Sequence, residues 1–173
     1  MRCVAFMRNV NQGQRGHPAT ADILAGFADA GCSDAQTFQS NGTIVFDSDA
    51  PSAVVEQAAD AIAVRSGYDR EILWIPWSEL RAVVDEHGAT PEPPRFELTL
   101  HSDTIIDRDD VRVVSCATEH RCSIVDAGQG WALVRNDVQG EGHGTPLLES
   151  LTGRPATSRG LPTVIRLIAR FGR

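Results

Sequence analysis

The feature that most constrains this chain is the order in which its apolar periodicity changes over about the first 75 residues. The stretch "RCVAFMRNV" opens it as a strand. Val4 and Phe6 alternate with Cys3, Ala5 and Met7, and both sets are apolar. A strand of that kind needs cover on both faces, so it belongs inside a sheet rather than at its margin. In "PATADILAGFADAGC", Ile23, Leu24, Phe27 and Ala30 fall on one helical stripe that Gly31 closes. The stretch "SDAQTFQSNGTIVFDSD" then holds Asn41-Gly42 between two β-type runs. That pair predicts a hairpin through a type I′ turn, with positive φ at both central residues. A second helix, "PSAVVEQAADAIAVRSG", has Pro51 in its first turn and Gly67 past its end, and "REILWIPW" is a fourth strand. The order β-α-β-β-α-β predicts an α+β fold with a ferredoxin-like sheet, in which the first strand lies between the third and the fourth.

The pattern then restarts. "WSELRAVVDEHG" predicts a third helix with Leu80, Val83 and Val84 on its apolar face. "ATPEPP" carries three of the nine prolines in residues 89–94 and predicts a linker. The expected division is therefore residues 1–88 and 95–173, the second a smaller α+β unit packed on the first. In it, "RFELTLH", "VRVVSC", "CSIVDA" and "WALVRND" predict strands. A glycine-rich loop, "VQGEGHGTP", leads to a short helix "LLESLTG", and a final helix spans "LPTVIRLIARFGR". Residues 89–145 give no clear pairing cues, and no internal repeat is visible in the sequence.

The first strand runs into "RNVNQGQRGH", a loop of amides, glycines and arginines. In the expected topology this loop and the hairpin leave the same end of the sheet. Arg8, Asn9, Asn11 and Gln14 then come near Gln39, Ser40, Asn41 and Thr43, beside the first helix N-terminus, whose unpaired N–H groups favour an anion. Two readings stand for this edge: a site for a small anionic or polar ligand, or two loops that hydrogen-bond each other and lock the hairpin.

Composition narrows the chemistry. The net charge is −7 and all 16 basic residues are Arg. Without lysine there is no Walker-type lysine, no Schiff base and no lysine general base. An acidic chain is a poor duplex-DNA binder, since that binding rests on phosphate neutralisation. A weak single-stranded nucleic-acid binder built on the open sheet is a further alternative, weakened by the charge and by one Tyr and six Phe, none in a stacking motif on strands one and three. The absence of a long apolar run and of an apolar leader predicts a cytoplasmic protein with no membrane partner and reduced thiols. Cys116, His120, Cys122 and His143 lack the paired spacing of a zinc site, and Cys116 and Cys122 would sit opposite each other across a turn "ATEHR" between two strands, as a disulfide or as an incidental pair. "GEGHGTP" reads as a surface loop, because Glu141 would repel a phosphate. His101, Ser102 and Asp103 are contiguous and cannot converge as a triad, and "DRDD" reads as a solvated acidic turn. Trp74 and Trp77 are expected on the second unit or on a partner chain. No catalytic residue, metal or cofactor is predicted. The leading reading is a non-enzymatic protein that binds a small ligand, itself or another protein at the Arg8 edge; an enzyme using the same edge is the alternative.

Three motifs, "FMRNVNQG", "FQSNGTIVF" and "LLESLTGRPATSRGLPTVIRL", resemble the bacterial family called domain of unknown function 1697. The resemblance implies a two-part α+β protein of unassigned activity. Arg8, Asn11, Gln39, Ser40, Arg159 and Thr163 match its pattern, while Asn9 and Gly160 replace a glycine and an asparagine, and Leu161 replaces an aromatic residue. It also implies that a C-terminal "TSRG" turn lies near the first loop, where Ser158 and Arg159 would complete an anion site. Arg159 bound to carbonyls or a carboxylate in the core is the competing reading.

Overall fold

Strand β1 (Arg2–Met7) organises the first unit. It pairs antiparallel with β3 (Thr43–Asp47) on one side and β4 (Ile72–Pro76) on the other. β2 (Gln36–Phe38) adds to the far side of β3, so the order is β2-β3-β1-β4, as the sequence predicts. Cys3, Ala5 and Met7 point into a core with Ile44 and Phe46, covered by α1 (Thr20–Asp29) and α2 (Pro51–Ser66). Val4 and Phe6, on the opposite face, are also fully buried. The helices approach closely at Gly26, where a Cβ would stand 2.5 Å from Ile62 Cγ1 and 3.1 Å from the Ala58 carbonyl oxygen.

The computed structural model describes residues 1–102 and 105–172. They form two compact units, one from Met1 to Ser78 and one from Glu79 onward. Both have four-stranded antiparallel sheets, and the second repeats the order of the first: β6 (Cys122–Gly128), β7 (Trp131–Asn136), β5 (Phe96–His101), β8 (Ala156–Gly160). Its α4 (Val111–Glu119) and α5 (Gly144–Thr152) cover one face, with Leu147 and Leu148 packed on Ala132, Val134 and Ala156. α3 (Trp77–His87) is tied to this sheet by Trp131 Nε1 donating to Glu79 Oε2 at 2.8 Å. α6 (Leu161–Phe171) packs on β5 and β8.

Several local expectations are corrected. "VRVVSC" is helical, not a strand. Asp110 caps α4 by accepting from Arg112 N at 2.8 Å, and this capped start outweighs the β preference of three valines, of which Val111 and Val114 are left exposed. Cys116 and Cys122 therefore do not face each other across two strands, and both are free thiols. "TSRG" lies in strand β8, paired antiparallel with β5, not in a turn. The hairpin loop runs from Gln39 to Gly42, and its left-handed residues are Gln39 (φ 58°) and Gly42 (φ 71°), so it is not a two-residue type I′ turn on Asn41-Gly42. Asn41 instead accepts from Thr43 Oγ1 at 2.8 Å. Trp74 packs on the first unit's own core and donates to Ser52 Oγ at 3.2 Å, while the Arg2 guanidinium lies 4.7 Å over the Trp77 ring. Asp103 falls outside the described residues.

Gly26→Ala tests the close helix contact. Alanine is the better helix former, yet overpacking should lower stability by about 1–3 kcal/mol in urea denaturation. A stabilised variant would show that α1 and α2 have room to separate.

Candidate functional site

The loop after β1 and the β2–β3 loop meet at one end of the first sheet. Met7 N donates to the Gly42 carbonyl at 2.7 Å and Gln12 N to the Ser40 carbonyl at 2.8 Å. Within the first loop, Gly13 N reaches Pro18 O, Gln14 N reaches Asn11 O, and His17 N reaches Gln14 O. Asn11 N donates to His17 Nδ1 at 3.1 Å, and the His17 ring lies 4.9 Å from that of Tyr68. The Tyr68 hydroxyl donates to the Asn9 carbonyl. The backbone of the edge is thus fixed from several sides. Val10 is buried, while the side chains of Asn9, Asn11, Gln14, Arg15, Gln39 and Ser40 are exposed.

Asn9 (φ 52°) and Gln39 (φ 58°), one from each loop, hold left-handed backbone without being glycine. That conformation crowds Cβ against the following carbonyl; it costs about 1–2 kcal/mol for Gln39 and less for Asn9, since asparagine adopts it more readily than other non-glycine residues, and Glu92 and Arg121 of the second unit share it. Arg8 donates its backbone N–H to the Glu71 carbonyl at 3.0 Å and keeps its guanidinium 3.8 Å from the Glu71 carboxylate. The helix end offers less to an anion than expected. Asp22, in the first turn of α1, accepts from Ala19 N at 3.1 Å, so a carboxylate already stands at the positive end of the dipole.

Arg8, Asn9, Asn11, Gln39, Ser40 and Asn41 therefore share one edge of the first unit. Ser158 and Arg159 belong to β8 of the second unit and, as strand neighbours, face opposite sides of its sheet. Ser158 Oγ lies 2.7 Å from Thr99 Oγ1 and 2.8 Å from Thr145 Oγ1. Arg159 is buried and donates to the Ser158 carbonyl at 2.8 Å and to Thr157 Oγ1 at 3.2 Å. Burial lowers its guanidinium to about 10, which leaves it charged at neutral pH.

Nothing in the sequence marks Glu97. It alternates with Leu98 and Leu100 as a solvated residue would, yet all six residues of β5 are buried. Its carboxylate accepts from Gly144 N at the start of α5 and from the Asn136 side chain. A Cβ at position 144 would fall 2.2 Å from Thr99 Oγ1 and 2.4 Å from Glu97 Oε1, so a larger residue would displace both buried side chains. "GEGHGTP" is thus an anchored helix start as well as a loop. Burial raises the Glu97 carboxyl above its ordinary value, against the lowering effect of its hydrogen bonds and of His143.

The other sequence candidates do not converge. Cys116 Sγ lies 3.7 Å from His120 Nδ1, Cys122 Sγ donates to the Ala117 carbonyl, and His143 pairs with Glu141 at 2.8 Å. Desolvation raises the thiols of Cys3 and Cys122 to about 11, so both stay protonated and poorly nucleophilic. "DRDD" turns inward on itself: Asp107 Oδ1 accepts from Asp109 N, and Asp110 caps α4. No helix among the described residues is long and apolar enough to cross a membrane.

Residues 1–122 match the family described as "Protein of unknown function (DUF1697)", and the chain belongs to that family. The C-terminal motif lies beyond the matched stretch. No curated protein matches in sequence. Among solved structures, the conserved bacterial protein SP0830 from Streptococcus pneumoniae is similar in fold, with a TM-score of 0.65 at 16% identity, covering 99% of this chain and 98% of that one.

Glu97 predicts a pH dependence. Its folded carboxyl holds a proton more tightly than the unfolded one, near 4.5. Its contribution is therefore greatest below pH 4.5 and is lost as pH rises through the raised folded value. Urea midpoints of Glu97→Gln against wild type should diverge from pH 4.5 towards neutrality, the variant gaining relative stability. Parallel profiles would mean that the buried carboxyl titrates as it does in the unfolded chain.

Proposed function

We propose that this member of the family is a non-enzymatic, cytoplasmic binding protein that takes a small polar or anionic ligand at the edge formed by the loop after β1 and the β2–β3 loop. Arg8, Asn9, Asn11, Gln39, Ser40 and Asn41 are the contact residues. The observation that carries this reading is the pair of non-glycine left-handed residues, Asn9 and Gln39, on facing loops with exposed amide side chains. Glycine at position 39 would avoid the cost, so Gln39 keeps its exposed amide there at some expense to stability. Strain kept at an exposed polar surface over a fixed backbone is the arrangement of a preorganised site.

Amides supply both donors and acceptors, so the surface suits a neutral polar ligand, with Arg8 as the anchor for an anionic group. Such a group would compete with Glu71 for the guanidinium. Ser158 and Arg159 are left out of the contact set, because Ser158 Oγ is engaged by Thr99 and Thr145 and the buried Arg159 donates to Thr157 and to the Ser158 carbonyl. The cytoplasmic setting is supported by four cysteines that are all thiols.

A thermal-shift screen of the full chain against inorganic phosphate, citrate, sugars and amino-acid amides tests the reading. At least one compound should raise the melting point of wild type and lose most of its effect on Arg8→Ala or Asn11→Ala. No shift by any compound would count against it. Gln39→Gly is the complementary variant: relief of strain should stabilise the fold by up to about 1 kcal/mol while weakening the ligand effect.

A further inference from the structure

We propose that Glu86, His87 and Asp126 form a binding site for one divalent transition-metal ion, with Zn2+ as the favoured occupant. Glu86 and His87 are the last residues of α3, and Asp126 lies in β6, all within the second unit. His87 Nε2 is 2.8 Å from Asp126 Oδ2 and 4.0 Å from Glu86 Oε1, and one ligand atom from each residue lies within 4.8 Å of the others. Donors around a tetrahedral ion with bonds of about 2.1 Å stand about 3.4 Å apart, so these three need shift little to hold one.

The sheet is altered where it supplies the third ligand. The β6–β7 register runs from Ile124↔Val134 to Asp126↔Leu133, leaving Val125 as an extra residue. In an unbroken strand Asp126 would share a face with Cys122 and Ile124, under α4 and α5. The bulge turns it to the other face, where it meets His87 from α3. Its second oxygen is fixed by Ala127 N at 2.8 Å, the kind of outer hydrogen bond that orients a metal-binding carboxylate.

Charge points the same way. Two carboxylates surround one imidazole at the C-terminal end of α3, the negative end of its dipole. A plain histidine–aspartate pair accounts for Asp126 and makes no use of Glu86, whose carboxylate stands 4.0 Å from the same imidazole. A divalent cation satisfies both carboxylates together. One nitrogen and two oxygens suit Zn2+ or Mn2+ better than Mg2+, which keeps oxygen ligands and most of its water. Three protein ligands leave a coordination position for water, and Glu86, the most exposed of them, gives the ion a way in.

Calorimetric titration of the tag-free full chain with ZnCl2, and with MgCl2 as control, tests the site. One equivalent of Zn2+ should bind and Mg2+ should not. Glu86→Gln leaves the His87–Asp126 hydrogen bond intact and should weaken Zn2+ at least about tenfold, and His87→Ala more, since losing a ligand costs no less than the roughly 10–100-fold lost with an outer hydrogen-bond partner. Circular dichroism melts identify a variant that has merely unfolded, and Glu86→Gln, at an exposed position, keeps the test decisive if His87→Ala does. Absence of Zn2+ binding, binding unchanged in Glu86→Gln, or a Co2+ spectrum with a thiolate charge-transfer band, which would mark Cys116 as the ligand, would overturn the assignment.

Discussion

The architecture depends on a backbone constraint: each sheet has an interior strand that is paired on both edges and buried on both faces. β1 lies between β3 and β4, and β5 between β7 and β8. A polar backbone in that position must place its N–H and C=O groups in the ladders. Polar loops can leave only at the strand ends. The two units solve this alike, for Met7 N reaches Gly42 O at the end of β1, and His101 N reaches Gly130 O at the end of β5. In both, the closing bond ties an interior strand to the next hairpin. The candidate ligand edge is thus a consequence of strand order: the loop after β1 cannot avoid the β2–β3 loop.

What differs is how each core is filled. In the first unit, β1 presents apolar side chains to both faces. In the second, β5 turns Glu97, Thr99 and His101 to one face, all buried. Buried polar groups are tolerated when they are bonded. Glu97 is bonded because α5 begins at a glycine small enough to lay its N–H on the carboxylate, and Thr99 because Ser158 and Thr145 close a hydroxyl cluster. This fixes where α5 starts, since a shift by one residue would put a side chain into the carboxylate.

These fillings explain what was legible in the sequence. The first unit could be read because apolar residues on both faces of one strand admit few arrangements, and Pro51 and Gly67 mark the ends of α2. Its strand order then placed Arg8, Asn9, Asn11, Gln39, Ser40 and Asn41 together. The second unit was hidden by residues that work against their usual preferences. A valine run became α4 because Asp110 caps it, and a Thr-Ser-Arg-Gly run became β8 because Arg159 and Thr157 are buried beside β5. With those two elements misread, the repeated topology could not be seen. The meeting of His87 with Asp126 depends on a one-residue bulge, for which the sequence holds no marker.

The repeat also bears on why the candidate ligand edge falls in the first unit and not at the matching end of the second. The segment after β5 is polar as well, with Asp107, Asp109 and Asp110. Two of its carboxylates are used locally, Asp107 accepting from Asp109 N and Asp110 capping α4, and the Arg108 guanidinium binds the Val125 carbonyl at the bulge. In the first unit the loop is held chiefly through its backbone, and exposed amides stand over it. A hydrogen bond made by the main chain leaves the side chain available for recognition, whereas a side chain used as a cap is already bound. The same topology therefore yields a helix start in one unit and an open polar surface in the other, and the division follows from which atoms of the loop carry its internal hydrogen bonds.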